Sequence, residues 1–275
     1  MNIKNIGFIG AGNMATSLIS GLIASGHSSQ HIWIADVNQG SLQALAASLQ
    51  VNIASSNTAL VDAVDVVVLA VKPQVLGVVA CEVAGAIQHN NALVVSIAAG
   101  ITQKSLGQWL GDGVAIVRCM PNTPALVLTG ATALHANTNV SNVQRDLAEN
   151  ILRAVGLALW VEHESELDAV TAISGSGPAY YFLLMEAMEK TALELGLNEA
   201  QARLLIQQTA LGAAKIALES NESPEQLRRR VTSPGGTTAA ALDCFEQGGF
   251  TQLVTHALHA ARDRSVAMSI ELGAL

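Results

Sequence analysis

The sequence predicts an α/β fold: an N-terminal doubly wound parallel sheet followed by an all-helical domain. Three observations predict it. Short apolar runs of strand length alternate with helical patterns through the first half of the chain. A glycine turn, Gly10-Ala11-Gly12-Asn13-Met14-Ala15, joins the first apolar run to the first helical stretch. From Glu164 onward no strand pattern remains. The expected domains are residues 1–162 and 163–275.

Ile3 to Ile9 reads as the first strand and Thr16 to Ser25 as the first helix. The turn between them has the G-x-G-x-x-A pattern of a dinucleotide site in its required strand–turn–helix context. Gly10 permits the tight turn, Gly12 lets a pyrophosphate approach the backbone, and Ala15 lets helix and strand pack closely. The domain is therefore expected to be Rossmann-like. Ile32 to Ala35 is the next strand, ending at Asp36, 24 residues beyond Gly12. An acid there suits the adenosine ribose of NAD and repels a 2′-phosphate. No Lys or Arg occurs from Asn5 to Val71 to hold that phosphate.

Asp65 to Val71 is a near-continuous apolar run, as a strand buried on both faces requires. Lys72-Pro73 stops it. Ala92 to Ile97 repeats the pattern and ends in Ala98-Ala99-Gly100, small residues that leave room for a flat ring. Val114 to Arg118 follows and ends in Cys119-Met120-Pro121-Asn122-Thr123-Pro124. Ala131 to His135 and Ala158 to Val161 read as closing strands. Gly10, Gly12, Asn13, Met14, Asp36, Asn57, Val71, Lys72, Pro73, Ala98, Ala99 and Gly100 form the candidate cofactor set.

In the second domain, Ser174-Gly175-Ser176-Gly177-Pro178 reads as an anion-binding helix start, with Pro178 at the first helical position. The helix runs to Leu195, with Gly196 as its C-cap residue. Asn198 with Gln201, and Ser223 with Gln226, make capping boxes. Thr237 to Gln247 and Phe250 to Leu272 are two more helices, parted by Gly248-Gly249. Val231 to Thr238 is a second small-residue turn feeding a helix N-terminus. The helices are apolar around much of their circumference and must be covered. A second subunit is the expected cover, giving a homodimer.

Composition narrows the partners. Half of the 275 residues are hydrophobic but only 3% aromatic, so the core must be aliphatic. A net charge of −8 argues against nucleic acid or an acidic membrane surface as the partner. Arg228-Arg229-Arg230 reads as a solvated helix face. Three scattered cysteines without a C-x-x-C, and no signal peptide or spanning segment, point to reduced thiols in the cytoplasm. His256 and His259 lack a third ligand nearby, so no metal site is expected.

These stretches together carry a resemblance. The chain resembles the Δ1-pyrroline-5-carboxylate reductase family over essentially its whole length. The carrying residues are Gly7 to Met14, Ala70 to Gln74, Ser96 to Gly100, Met120 to Pro124, Ser174 to Tyr180 and Ser233 to Thr238. The first is shared by many dehydrogenases; the last two in this order are specific. The resemblance implies hydride transfer from NADPH or NADH to C5 of the cyclic imine, giving L-proline in the last step of its synthesis. It implies an interlocked homodimer and larger rings of dimers, up to a decamer. It places the substrate carboxylate on backbone N–H groups of Ser233, Gly235, Gly236 and Thr237, and the ring nitrogen against Thr238, the candidate catalytic residue. It puts Glu164 at the border of the substrate.

Two departures stand out. The family leans to NADPH, yet Asp36 leans to NADH; Arg230 stands where an amide is expected and would favour the phosphate. Two rival readings fall away. A 3-hydroxyacid dehydrogenase needs G-x-x-x-N-x-x-K, but Tyr181 and Leu184 occupy the Asn and Lys places after Gly177. A dinucleotide-binding regulator without turnover would tolerate loss of the substrate turn, which is intact here.

Overall fold

The computed structural model describes residues 4–273. Its backbone falls into two compact units: one runs to Ser176 and includes the segment from Ala260 onward, the other is Gly177–His259.

The first unit is built on an eight-stranded sheet. In chain order it contains β1 (Ile6–Ile9), α1 (Asn13–Ala24), β2 (Ile32–Ala35), α2 (Gln39–Leu49), β3 (Asn52–Ile53), α3 (Asn57–Asp62), β4 (Val66–Leu69) and α4 (Pro73–Asn90). It continues with β5 (Leu93–Ser96), α5 (Gln103–Leu110), β6 (Ile116–Met120), β7 (Gly130–Ala136), α6 (Asn142–Arg153), β8 (Gly156–Trp160) and α7 (Glu166–Val170). The strand order is β3-β2-β1-β4-β5-β6-β7-β8. All neighbours are parallel except β6 and β7.

The doubly wound fold expected from the sequence is the fold observed. Its physical basis is visible in β4, where all four residues are buried and alternate between two cores. Val66 and Val68 point to the core under α1, α2 and α6; Val67 and Leu69 point to the core under α3, α4 and α5. Each fully buried valine contributes roughly 1.5–3 kcal/mol relative to exposure, so the run cannot be a surface element. β3 escaped the sequence reading because it is two residues long and half polar. Ile3, expected in the first strand, lies outside the described residues. No helix among those described is long and apolar enough to cross a membrane.

The second unit contains α8 (Gly177–Glu194), α9 (Glu199–Glu219), α10 (Pro224–Arg230), α11 (Thr237–Gln247) and the first part of α12 (Phe250–Gly273). Both expected capping boxes form: Asn198 with Gln201, and Ser223 with Gln226, each reciprocally bonded. A third, Ser141 with Gln144, opens α6. Of the whole unit only Gly177 and Ala202 are fully buried. Phe182, Leu183, Leu204, Leu211, Leu218 and Leu253 are all more than 60% exposed. The unit is thus a set of apolar helices without a core of its own.

Candidate active site

β1, β4 and β5 are neighbours, so the loops leaving their carboxyl ends share one edge of the sheet. Gly10 leaves β1 at φ +107°, a conformation only glycine adopts without strain. A Cβ there would also stand 2.7 Å from the Ala70 carbonyl oxygen that follows β4. Gly12 is the N-cap of α1, and no side chain caps the helix. A Cβ added at Gly12 would meet nothing within 4 Å. Open space therefore lies before a helix start whose first-turn N–H groups, those of Asn13 and Met14 included, lack a side-chain acceptor. Ala15 is buried against the sheet, so the helix sits close behind the turn. A pyrophosphate fits this cradle.

Asp36 follows β2 and is fastened to the same turn. Its carboxylate accepts the Ala11 N–H and the Asn38 N–H, each at 2.7 Å. Both oxygens keep a free lone pair for a ribose hydroxyl. Lys72 is the N-cap of α4 and Pro73 its first residue, directly after Val71. Ala98 and Gly100 are buried beside β5. Gly100 has φ +74°. Met268 and Leu272 of α12 press on it: an added Cβ would stand 3.3 and 3.2 Å from them. Asn57 is the first residue of α3, and its amide donates to Glu82 at 3.0 Å.

The Ser174–Pro178 stretch differs from expectation. It is not a free helix start. The backbone stays helical from α7 through a π-turn at Thr171–Gly175, and the Ser176 N–H bonds the Thr171 carbonyl at 2.8 Å. Thr171 and Ser174 hydroxyls bond carbonyls four residues back, which holds the small residues in helical form. Pro178 has no N–H for the Ser174 carbonyl, and the Asn122 amide supplies it at 3.1 Å. Asn122 in turn accepts the Ala131 N–H. A Cβ at Gly175 would lie 2.4 Å from the Met120 methyl, so the end of that flexible side chain would have to shift. The stretch therefore docks on the β6 end rather than presenting an anion site.

Glu164 is tied inward. One oxygen accepts the Gln103 N–H at 2.7 Å and the Arg118 guanidinium at 2.8 Å. Arg118 was read only as the end of a strand. It sits inside β6, its side chain 5% exposed. A charge within an apolar run of a two-sided sheet demands a partner, and that was the signal by which the pair could have been found. Beside it, burial pushes the Cys119 thiol up beyond its ordinary range, so it stays protonated.

In the second unit, Ser233–Thr238 forms a tight turn into α11. The Gly236 N–H bonds the Ser233 carbonyl at 3.0 Å, and Gly235 has φ +70°. Gly236 is the N-cap without any side-chain bond; Thr237 and Thr238 are the first two helical residues, both exposed. The first-turn N–H groups therefore have no side-chain acceptor and remain open to an anion. Arg230 ends α10 in an ion pair with Glu222.

Comparison with known proteins agrees with this arrangement. Residues 164–268 match the family model for pyrroline-5-carboxylate reductase dimerisation, and residues 5–100 match that for NADP oxidoreductase, coenzyme F420-dependent. The chain is 50% identical to a pyrroline-5-carboxylate reductase of Pseudomonas aeruginosa, over 99% of this chain and 100% of that protein. It is 43% identical to one of Haemophilus influenzae, over 98% of each. A solved pyrroline-5-carboxylate reductase of Coxiella burnetii superposes with TM-score 0.93 at 44% identity, covering 98% of this chain and 99% of that one. A Plasmodium falciparum pyrroline carboxylate reductase with NADP bound superposes with TM-score 0.85 at 30% identity, covering 98% of each.

Proposed function

Since the chain belongs to the pyrroline-5-carboxylate reductase family, we propose that it reduces Δ1-pyrroline-5-carboxylate to L-proline with a nicotinamide cofactor, closing proline biosynthesis. The observation that carries the reading is the Ser233–Thr238 turn: an uncapped helix N-terminus with two exposed threonines fits a small carboxylate beside a ring nitrogen. The backbone N–H groups of Ser233, Gly235 and Thr237 hold the carboxylate, the Gly236 N–H being bonded to the Ser233 carbonyl, and the Thr238 hydroxyl holds the nitrogen. The resemblance adds Glu164, held by Arg118 and the Gln103 N–H, to the substrate set.

When bound, the nicotinamide supplies a hydride. Gly10 to Met14, Asp36, Asn57, Val71 to Pro73 and Ala98 to Gly100 are the residues that would hold the dinucleotide. The small side chains of Ala98 and Ala99 leave space for its ring. The substrate nitrogen enters protonated, so hydride addition at C5 consumes the iminium charge and leaves a neutral amine. No acid has to act in that step. Orientation of C5 by the Ser233–Thr238 turn is the chain's main contribution.

Asp36 supports NADH over NADPH. Its two backbone hydrogen bonds hold a negative charge where a 2′-phosphate would lie. Arg230, which stands where the resemblance expects an amide, is paired with Glu222. The helical segment 163–275 makes the homodimer, covering the exposed leucines of α8, α9 and α12; light scattering after size exclusion reads its mass. The test of function is loss of nicotinamide absorbance on adding pyrroline-5-carboxylate with NADH and NADPH in parallel. Turnover supports the reading, and folded protein without turnover on either cofactor refutes it.

A further inference from the structure

A cavity of about 540 Å³ opens in the first unit among α5, the middle of β6, the start of α7 and the last turns of α12. That volume suits a small-molecule site. Its charged lining is Lys104, Arg118, Glu164 and Asp168, with Ser105 and Ser269 hydroxyls between them.

Arg118 points to a ligand. It is almost wholly buried, and among the described residues its guanidinium makes one hydrogen bond, to Glu164. A guanidinium has five N–H donors. Arg118 lines the cavity, so its remaining donors are available to an occupant. The other charges divide by sign. Arg118 and Glu164 offset each other. Lys104 is exposed on α5 and Asp168 lies on α7; among the described residues neither forms an ion pair. Asp168 accepts the Ser265 hydroxyl at 2.7 Å with one oxygen, and its other oxygen has no partner there. The wall is thus neutral overall but presents separate positive and negative groups. A simple anion would meet Asp168 unfavourably, and a simple cation would meet Lys104.

We propose that this cavity binds a free α-amino acid, its carboxylate on Lys104 and the open side of the Arg118 guanidinium, its ammonium on Asp168. The occupant would also touch α12 at Val266, Ser269 and Ile270. The same turns of α12 carry Met268 and Leu272, which press on Gly100. Binding here therefore bears on the loop assigned above to the nicotinamide, and it shifts the KM for cofactor.

The test uses the intact enzyme and leaves Glu164 untouched, because that residue also belongs to the candidate substrate set. Isothermal titration measures nineteen protein amino acids one by one; L-proline is omitted because the product has a second place to bind. Acetate and methylamine serve as single-charge probes. The expected result is saturable binding of at least one amino acid and of neither probe. Lys104→Ala and Asp168→Asn each weaken that binding at least tenfold while Tm and basal kcat match the wild type. Asp168→Asn keeps an acceptor for Ser265, so it tests charge rather than folding. No saturable binding overturns the proposal. So does binding that survives both variants, which places the ligand elsewhere, or acetate binding as tightly as the amino acid, which makes it an anion site. An unchanged cofactor KM at saturating ligand overturns the link through α12.

Discussion

Replacing Asp36 with serine should reverse the cofactor preference. The carboxylate is held by two 2.7 Å hydrogen bonds from backbone N–H groups, so it cannot swing away from an incoming phosphate. A 2′-phosphate carries about −1.5 to −2 charges. At an assumed separation of ~5 Å and the dielectric of bulk water, repulsion is about 1–2 kcal/mol; at an effective dielectric near 20 it approaches ~6. Asp36 is partly exposed, so the energy lies nearer the screened end, and about 1.5–3 kcal/mol, between the two limits, corresponds to a ten- to hundredfold discrimination against NADPH. Asp36→Ser should raise kcat/KM for NADPH by that factor. It should lower kcat/KM for NADH, because the ribose loses its acceptor. Losing the two backbone bonds costs about 1–3 kcal/mol of stability, read as a lower Tm. The assay is initial rate against each cofactor at saturating substrate. A wild-type preference for NADPH, or a variant whose NADPH-to-NADH ratio does not move, would refute the reasoning.

Other substitutions separate structure from binding. Gly12→Ala should leave the unfolding free energy within about 1 kcal/mol of wild type, since φ is −77° and the added methyl touches nothing; the cofactor KM should rise at least tenfold as the methyl fills the phosphate approach. Thr238→Ala, at an exposed position, should keep the fold and lower kcat/KM for the imine about ten- to hundredfold, the worth of one hydrogen bond to a charged group; unchanged kinetics would remove Thr238 from the site. Glu164→Ala strands Arg118 beside an apolar strand and should cost about 2–4 kcal/mol in denaturant unfolding, while Glu164→Gln, which still accepts from Gln103 and Arg118, should cost about half as much or less. Burial, then the neighbouring His31, holds His27 below its ordinary value. The unfolded chain therefore binds that proton more readily, and Tm should fall as pH drops through about 6.5; His27→Gln should flatten that fall.

Period and punctuation made most of the fold legible. The runs Asp65–Val71 and Ala92–Ile97 announce strands buried on both faces, and the structure buries Val66–Leu69 and Leu93–Ser96 completely. Asn198/Gln201 and Ser223/Gln226 fixed two helix starts because a capping box is a local device, complete within four residues. The glycine turn was legible for the same reason. The Ser174–Pro178 stretch was misread because its conformation depends on a partner 52 residues away. Small residues and a proline do favour a helix start, but Asn122 satisfies the carbonyl that Pro178 abandons and lets the helix run through. Arg118–Glu164 is 46 residues apart: the charge inside an apolar run signals that a partner exists, but not which residue it is.

By itself, the sequence determined the alternation of strands and helices apart from the two-residue β3, the glycine turn after the first strand and the need for a cover over the second domain. Each follows from interactions within a few residues or from the count of apolar side chains. Only the tertiary structure decided what stands behind Gly100, what fastens Asp36 and which charges face one another around the cavity under α12. Those contacts join residues 25 to 172 positions apart, brought together by strand order and helix packing, and no local pattern in the chain encodes such a meeting.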